Sequence, residues 1–312
     1  MTNLEGSDEC EVTVTGAQTN AGDYFATATE LSNSNYTLEG TENVSCSFHI
    51  DRLKITVTIT TTETVFGTDL KLETSGNLGG GEESFSVQDG TGSAEIAGDT
   101  LIPKRIGTVL VTVSVGETAN TYSASAEAEI TIKKGTVSVD FAKKSTVYGT
   151  PLKLELTGNE ENGAYQYTIT DETGSAMLSG TDTLVPLKAG TVTVRVVVNE
   201  TTNYDRTEFE AQITIEKLVA QLEWTEGVLV YNGEEQAPEV KMVNLVGEDK
   251  CEIEVSGVKN AGKNLTATAE SLSNENYTLE GAENLACTFE IAPLKVELEW
   301  GETSLEYNGE AQ

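Results

Sequence analysis

The stretch Val109-Leu110-Val111-Thr112-Val113-Ser114-Val115 decides the fold class, because every second residue is a valine. Such alternation places an apolar row on one face of a β-strand and the remaining side chains on the other face. Turn residues such as Asn232-Gly233 separate runs of this kind. No stretch of a dozen residues has a persuasive helical period. The sequence therefore predicts an all-β chain of small antiparallel β-sandwiches.

The valine stretch also belongs to an internal repeat. It starts at Gly107-Thr108-Val109, and Gly190-Thr191-Val192 matches this start 83 positions later. We call the repeated unit the type 2 module. Its further matches, spaced by 82 or 83 positions, are Phe66-Gly67-Thr68 with Tyr148-Gly149-Thr150, Thr91-Gly92-Ser93-Ala94 with Thr173-Gly174-Ser175-Ala176, and Tyr122 with Tyr204.

A second kind of repeat, the type 1 module, lies on both sides of the type 2 pair. The segment 3–54 returns as 244–295, an offset of 241 positions. Two opening strands around Trp224 and Tyr231 recur 76 positions later around Trp300 and Tyr307. Both ends of the chain are therefore expected to lie inside a module, and the parent protein is expected to be longer.

These repeats predict five segments, with short junctions and no Gly/Ser-rich or Pro-rich linker, so that we expect an elongated and fairly stiff rod. The segments are a partial type 1 module without its opening strands (1–51), two type 2 modules (52–134 and 135–217), a complete type 1 module (218–293), and the opening strands of a further type 1 module (294–312). We refer to the first four as modules 1 to 4.

The charge of the chain limits its partners. The 312 residues include 51 acidic and 19 basic side chains, a net charge of −32. Such a surface repels nucleic acids and anionic membranes. No apolar run approaches the roughly 20 residues that span a bilayer. We interpret the acidic surface as one that keeps the protein soluble. The alternative is that it binds cations loosely.

The type 1 module contains three short motifs: Tyr231-Asn232-Gly233, Asn260-Ala261-Gly262 and Asn276-Tyr277-Thr278-Leu279. Through these motifs it resembles the "mostly beta, glycine-rich" (MBG) modules of bacterial surface proteins. The type 2 module resembles a related bacterial immunoglobulin-like module, through Gly107-Thr108-Val109 and its counterpart. The resemblance implies a secreted, adhesin-like protein on the bacterial cell surface, and it brings no catalytic residues.

Four cysteines occur as two pairs with the same spacing of 36 positions. Each lies on a strand whose alternation points the sulfur inward, and a secreted context with an even count favours disulfides. Such a bridge stabilises by about 3–4 kcal/mol in the chain-entropy model. The alternative is a pair of buried free thiols in each copy. The expected pairs are Cys10 with Cys46 and Cys251 with Cys287.

Four tyrosines precede strands at matched places in the modules. Tyrosines at such positions pin a loop to a sandwich core, so we predict a structural role. The alternative is a set of platforms on which sugars stack. The residues are Tyr36, Tyr122, Tyr204 and Tyr277.

The sequence offers no catalytic or metal-binding constellation. His49 is the only histidine, it faces outward on its strand, and its counterpart is Glu290. Triad chemistry and Cys/His metal sites therefore lack their residues. We predict no enzyme, no metal site and no cofactor. Calcium is the alternative, at acidic residues in or near turns without EF-hand spacing: Asp89, Asp99, Asp171 and Asp182.

The functional expectation is an extracellular spacer or stalk that presents a distal domain. The alternative is an adhesin whose variable loops, 77–84 and 159–166, bind a host glycan or protein. Because 294–312 carries the opening strands that 1–51 lacks, head-to-tail self-association by strand exchange is a further expectation.

Overall fold

The computed structural model describes residues 1–301 and 304–311. In the described residues, regular structure consists of β-strands and one short 3-10 helix, Glu160–Asn162. The predicted all-β fold of tandem immunoglobulin-like sandwiches is thereby confirmed. No helix in the described part of the chain is long and apolar enough to cross a membrane. The chain divides into two compact units, Met1–Val137 with Glu200–Arg206, and Ser138–Asn199 with Thr207–Gln312.

Module 1 forms a single antiparallel sheet in the first unit, with the strand order β1-β2-β3. Its residues Ala26, Phe48 and Ile50 are only half-buried. The strands are β1 (Val12–Thr15), β2 (Gly22–Leu31) and β3 (Ser45–Ile50).

Module 2 completes the first unit as a two-layer sandwich. The strands are β4 (Thr58–Ile59), β5 (Glu63–Val65), β6 (Leu70–Lys71), β7 (Thr74–Ser75), β8 (Glu83–Asp89), β9 (Ser93–Ala97), β10 (Thr100–Arg105), β11 (Gly107–Val115) and β12 (Ala124–Lys133). One layer has the order β5-β12-β11-β8 and the other the order β6-β10-β9, with β4 paired to β7. The valines of β11 are buried, and Leu101 and Ile130 pack with them in the core. The apolar row predicted from alternation is therefore the core face.

In the second unit, strands of module 3 repeat this arrangement. They are β13 (Asp140–Phe141), β14 (Ser145–Val147), β15 (Leu152–Lys153), β16 (Leu156–Thr157), β17 (Tyr165–Asp171), β18 (Ser175–Ser179), β19 (Thr183–Lys188), β20 (Gly190–Val198) and β21 (Thr207–Glu216). The sheet orders are β14-β21-β20-β17, β15-β19-β18 and β13-β16. Gly190 has φ +136° and lies against the backbone of Gly174, so no side chain fits there.

Module 4 follows in the second unit. Its strands are β22 (Leu218–Val219), β23 (Leu222–Trp224), β24 (Val228–Val230), β25 (Val240–Met242), β26 (Ile253–Val255), β27 (Gly262–Leu272), β28 (Tyr277–Thr278) and β29 (Ala286–Ala292). The main sheet has the order β24-β29-β27-β26, and β23 pairs with β25. Ala267, Phe289 and Ile291 form the core, and Trp224 and Tyr231 pack against it.

Parallel pairing at one sheet edge was not predicted. β5 runs parallel to β12, β14 to β21 and β24 to β29. The first and last strands of a module run the same way when the chain enters at one end and leaves at the other. In module 2, Leu53 lies beside Thr121 and Val65 beside Lys133. Twelve residues at about 3.3 Å each can carry the backbone at most about 40 Å.

The segment 294–312 was predicted to form opening strands, and residues 302, 303 and 312 lie outside the described residues. Its described part carries no strand. Hydrogen bonds to a neighbour make a strand, and the equivalent β23 has such a neighbour in β25. The side chains of Leu298, Trp300 and Tyr307 are exposed.

Candidate functional site

Three loops of the same pattern lie where one module meets the next, and we call them the junction loops. Each pairs in parallel with the chain segment that begins its own module. The backbone N–H of Leu53 donates to the Asn120 carbonyl (2.8 Å), that of Gly135 to Asn203 (2.9 Å), and that of Leu218 to Asn276 (2.9 Å). The junction loops are Asn120-Thr121-Tyr122, Asn203-Tyr204-Asp205 and Asn276-Tyr277-Thr278.

The asparagine side chain of each junction loop makes one repeated contact, which we call the asparagine latch. Its Oδ1 accepts the backbone N–H of the residue before a strand-opening glycine in the preceding module. The donors are Ala21 for Asn120 (2.8 Å), Ile106 for Asn203 (3.0 Å) and Ala189 for Asn276 (2.8 Å). A side-chain acceptor thereby satisfies a backbone donor that the strand ladder leaves unpaired.

In the second unit, a tyrosine pair reinforces the latch. The Tyr277 hydroxyl donates to Asp249 Oδ2 (2.7 Å) and accepts the Val246 N–H (2.8 Å). The Tyr148 hydroxyl donates to the same carboxylate oxygen (2.9 Å). The two rings meet edge to face, with centroids 5.7 Å apart. Module 3 and module 4 therefore share one buried, hydrogen-bonded aromatic contact.

The electrostatics of this cluster keep both phenols neutral. Burial is the largest cause that raises the pKa of Tyr277, and together with the hydrogen bond to Asp249 it brings that pKa to about 12. Burial and the hydrogen bond to Asp249 also raise the pKa of Tyr148. A carboxylate accepts hydrogen bonds from two neutral hydroxyls, whereas a phenolate would repel it. The arrangement is suited to holding two modules together.

The first unit contains a variant of this contact. The Tyr204 ring meets Phe66 edge to face, with centroids 5.3 Å apart. The isolated bridges pair Gly135 with Tyr204 and Leu53 with Thr121, so Thr121 is the structural counterpart of Tyr204. The sequence match of Tyr122 with Tyr204 is therefore one position out of register.

Tyr122 has a different environment from the other tyrosines. It is 44% exposed, and the Arg52 guanidinium carbon lies 4.6 Å from its ring centroid. The guanidinium also donates to the carbonyls of Thr118 (2.7 Å) and Thr121 (2.6 Å). Arg52 thus holds the first junction loop through its charge and its planar face.

Lys134 plays the matching part at the next junction loop. Its Nζ donates to Glu200 (2.7 Å) and to the Thr201 carbonyl (3.0 Å). Sequence reasoning missed these two basic residues. The available signal was a basic residue repeated at the boundaries between modules: Arg52, Lys134 and Lys217.

Tyr36 in module 1 has the same hydrogen bonds as Tyr277. Its hydroxyl donates to Asp8 (3.0 Å) and accepts the Glu5 N–H (2.8 Å). It is half-buried, whereas Tyr277 is 2% exposed. The loop-pinning geometry is therefore present in both type 1 modules.

The expected disulfides are not formed, and all four cysteines are free. β1 and β3 lie on opposite sides of β2, so their residues are two strand spacings apart, about 10 Å. Cys46 lies opposite Ala26, whereas Val12, two residues after Cys10, lies opposite Leu31. Bridged cysteines need Cα atoms within about 7 Å. Strand order and register therefore separate the two sulfurs, and Cys46 is exposed where alternation predicted an inward sulfur.

Module 4 has the same separation. Cys287 lies opposite Ala267, and Ile253, two residues after Cys251, lies opposite Leu272. Burial raises the pKa of the Cys287 thiol, in keeping with an unreactive side chain.

The acidic residues considered for calcium have other partners. Asp89 accepts the Ser93 hydroxyl (2.7 Å), and Asp171 accepts the Ser175 hydroxyl (2.6 Å). The Asp99 and Asp182 carbonyls accept backbone N–H groups. No group of three acidic, cysteine or histidine side chains suited to a metal ion occurs among the residues described.

His49 lies at the surface between two carboxylates. Its Nδ1 is 2.8 Å from Asp23 and its Nε2 is 3.3 Å from Asp51. The hydrogen bond with Asp23 raises the pKa of the imidazole. Both partners are open to water, so the contact is a surface ion pair of small energy.

A groove in module 4 was considered as a site for chemistry. It is lined by Val219–Leu222, Val243, Gly281, Glu283 and Asn284. Glu283 is the one ionisable side chain of that lining. Acid–base catalysis by a carboxylate needs a second positioned group, and this groove does not supply it.

No family model matches the chain, and no curated protein matches it. Solved structures do resemble it. Drosophila N-cadherin EC1-4 is 8% identical, with 88% of this chain and 83% of that chain covered and a TM-score of 0.25. The four N-terminal Ig domains of Dscam1 isoform 9.44 are 11% identical, with 88% and 80% covered and a TM-score of 0.25. Domains 4–9 of the surface layer protein SbsC are 15% identical, with 77% and 47% covered and a TM-score of 0.23.

Proposed function

We propose that this chain is a non-catalytic, extracellular spacer: the stalk region of a bacterial surface protein, built from MBG-like and bacterial immunoglobulin-like modules. The observation that carries the proposal is the asparagine latch, made by Asn120, Asn203 and Asn276 with the same geometry each time. A contact that is repeated at successive junctions holds each module to the next one.

The path of the chain through a module supports a spacer. Parallel first and last strands bring the chain in at one end and out at the other. In module 2 this path advances the chain by at most about 40 Å, from the Leu53–Thr121 bridge to the Val65–Lys133 pair. A module in which the chain left at the end where it entered would not increase the distance between the modules before and after it.

The junction contacts support a spacer whose neighbouring modules keep a fixed orientation. In the second unit, backbone pairing at Leu218, the latch at Asn276 and the Tyr148–Asp249–Tyr277 cluster all act at one junction. Each hydrogen bond contributes about 0.5–1.5 kcal/mol, and bonds to a charged group about 1.5–3 kcal/mol. A flexible linker would make none of these contacts.

One observation favours a second candidate, an adhesin that binds through loops 77–84 and 159–166. Leu78 is 78% exposed at the tip of the first loop. The equivalent loop of module 3 has the acidic residues Glu160 and Glu161 at its tip. Loops that share a scaffold and differ at the tip are suited to different ligands.

A distance measurement tests the spacer. Spin labels are placed at the exposed positions Met177 and Glu280, both in the second unit, after the native cysteines are replaced by serine. We expect one narrow distance distribution, which the double substitution Asn276→Ala with Tyr148→Phe broadens. A broad distribution in the chain with both residues intact would refute the fixed junction and, with it, the stalk.

A binding assay tests the adhesin. The unlabelled chain is applied to immobilised glycans and mucins, beside a variant in which residues 159–166 are replaced by Gly/Ser. The spacer predicts no specific signal for either chain. A signal that the loop replacement removes would establish the adhesin in its place.

A further inference from the structure

The loop between β16 and β17 in module 3 carries an asparagine side chain that nothing holds. It contains Asn162-Gly163, one of three Asn-Gly dipeptides in the sequence. Asn162 is exposed, and its side chain makes no hydrogen bond to any residue that the structure describes. The side-chain amide is therefore open to water and free to rotate.

Asn162 also has a backbone conformation that suits glycine. Its φ is +51°, and that of Glu161 before it is +58°. Among the described residues, this is the one place where two successive non-glycine residues have positive φ. The matching position in module 2 is Gly80, with φ +61°. Because a side chain is strained in this conformation, a reaction that alters the backbone at Asn162 relieves strain.

The backbone nitrogen of Gly163 lacks a contact that its counterpart has. In module 2, Asn77 Nδ2 donates to the Gly81 carbonyl (2.8 Å), and Asn77 Oδ1 accepts the Gly81 N–H (3.0 Å). In module 3, Asn159 Nδ2 donates to the Gly163 carbonyl (2.9 Å), but Asn159 Oδ1 has no partner in the described structure. The Gly163 nitrogen is therefore less restrained, and glycine has no side chain to block its approach to Asn162.

We infer that Asn162 is a site of spontaneous deamidation. The Gly163 nitrogen attacks Cγ of Asn162, and the bond between Cγ and the side-chain nitrogen breaks. The leaving nitrogen takes up the Gly163 amide proton and departs as ammonia, so that a cyclic succinimide remains. Water then opens the ring at one of its two carbonyls, which gives aspartate or isoaspartate. In isoaspartate, the backbone runs through the former side chain.

Asn232-Gly233 in module 4 is the same dipeptide in a different setting. Asn232 is also exposed, but its Oδ1 accepts the Glu234 N–H (2.9 Å). This contact fixes the side chain against the backbone two residues further on. Its φ is not positive, so the backbone strain of Asn162 is absent there. Asn162 is therefore expected to react before Asn232.

Either product changes the loop in which Asn162 lies. Each places a carboxylate beside Glu160 and Glu161, where the amide was neutral. Isoaspartate also lengthens the backbone, next to the hydrogen bond from the Asn162 N–H to the Asn159 carbonyl (3.2 Å). The folded protein therefore becomes a mixture of loop forms with time, whether or not the loop binds a ligand.

The test incubates the folded 312-residue chain in mildly alkaline buffer. Digestion and mass spectrometry then measure deamidation at Asn162 and Asn232, and fragmentation by electron transfer distinguishes isoaspartate from aspartate. We expect Asn162 to react roughly tenfold faster, the factor by which one hydrogen bond of ordinary strength protects Asn232. Asn162→Gly, which repeats the residue of module 2, should abolish deamidation in this loop and leave the rate at Asn232 unchanged.

The same measurement in denaturant does not depend on the folding of a variant. Both dipeptides lose their surroundings there, so their rates should become equal. A rate at Asn162 no higher than that at Asn232 in the folded chain would overturn the inference. A difference of the same size in denaturant would overturn it as well, because the neighbouring sequence, and not the folded loop, would then be its cause.

Discussion

The substitution Asn276→Ala tests the asparagine latch of the second unit. It removes the Oδ1 acceptor of the Ala189 N–H, a 2.8 Å hydrogen bond, and leaves the backbone pairing of Leu218 with the junction loop in place. A neutral hydrogen bond contributes about 0.5–1.5 kcal/mol net. If the Ala189 amide exchanges by local opening, that loss speeds its exchange by about 2- to 13-fold, at 1.36 kcal/mol per factor of ten.

Hydrogen exchange read by NMR on the full chain measures this effect, and the chain supplies its own control. The Ile106 amide is held by Asn203 in the same way, so Asn276→Ala should leave its exchange unchanged. The reciprocal variant Asn203→Ala should speed exchange at Ile106 and leave Ala189 unchanged. If Ala189 exchange stays the same in Asn276→Ala, or if both amides change together in either variant, the latch is not a local contact and the reasoning fails.

Three further predictions concern the same junctions and the thiols. Gly149→Ala should destabilise the second unit by about 1–3 kcal/mol, because a Cβ at φ +82° would lie 2.5 Å from Val246 Cγ2. The midpoints of denaturant unfolding measure this loss of stability. Gly227→Ala is the control, because nothing lies within 4 Å of a Cβ added at Gly227. Near-ultraviolet titration should find that Tyr277 ionises near pH 12. Because its pKa is raised in the folded state, its contribution to stability is complete below the unfolded pKa of about 10 and is lost as the pH rises from 10 to 12. A normal titration midpoint for Tyr277 in the folded chain would contradict the buried cluster. Thiol titration of the unfolded, unreduced chain should find four free groups, with Cys46 reacting first in the folded chain because it is exposed; two or fewer free groups would show that bridges exist.

The fold was predictable because its signals are local. Valines at every second position of β11 and β20 indicate which face of each strand is buried. The glycine at the start of each of these strands indicates where the strand begins. Repetition added strength, since Gly107 and Gly190 open equivalent strands. Fold class and core face both follow from such short-range patterns.

Register and strand order were not predictable from the same patterns. The alternation around the cysteines predicted inward sulfurs and two bridges, yet β2 separates Cys10 from Cys46, β27 separates Cys251 from Cys287, and Cys46 is exposed. The same limitation misaligned Tyr122 with Tyr204, because a shift of one residue is invisible in a short motif. Side-chain period fixes a face, whereas pairing depends on contacts between segments far apart in the chain.

The junctions explain why the site was only half visible in the sequence. Asn276 and Tyr277 recur as a motif, so the sequence located the loop and suggested that its tyrosine pins it to a core. The partners Tyr148, Asp249 and Ala189 lie in other loops, two of them in the preceding module, and no spacing rule links them to the motif. The sequence on each side of a contact between modules can show a motif, but it does not show which residues of the other module that motif contacts.

Parallel strand pairing and the latch together give the repeats their direction. Because β5 and β12 run parallel, the junction loop of a module lies at the end where the chain enters, and the residue before the strand-opening glycine faces the next module. Acceptor and donor therefore lie at opposite ends of module 2, at Asn120 and Ile106. The same bond is made by Asn203 of a type 2 module and by Asn276 of a type 1 module, in each case to the backbone of a type 2 module. The latch thus does not depend on the type of module that carries the asparagine, which is a property that a spacer assembled from mixed repeats requires.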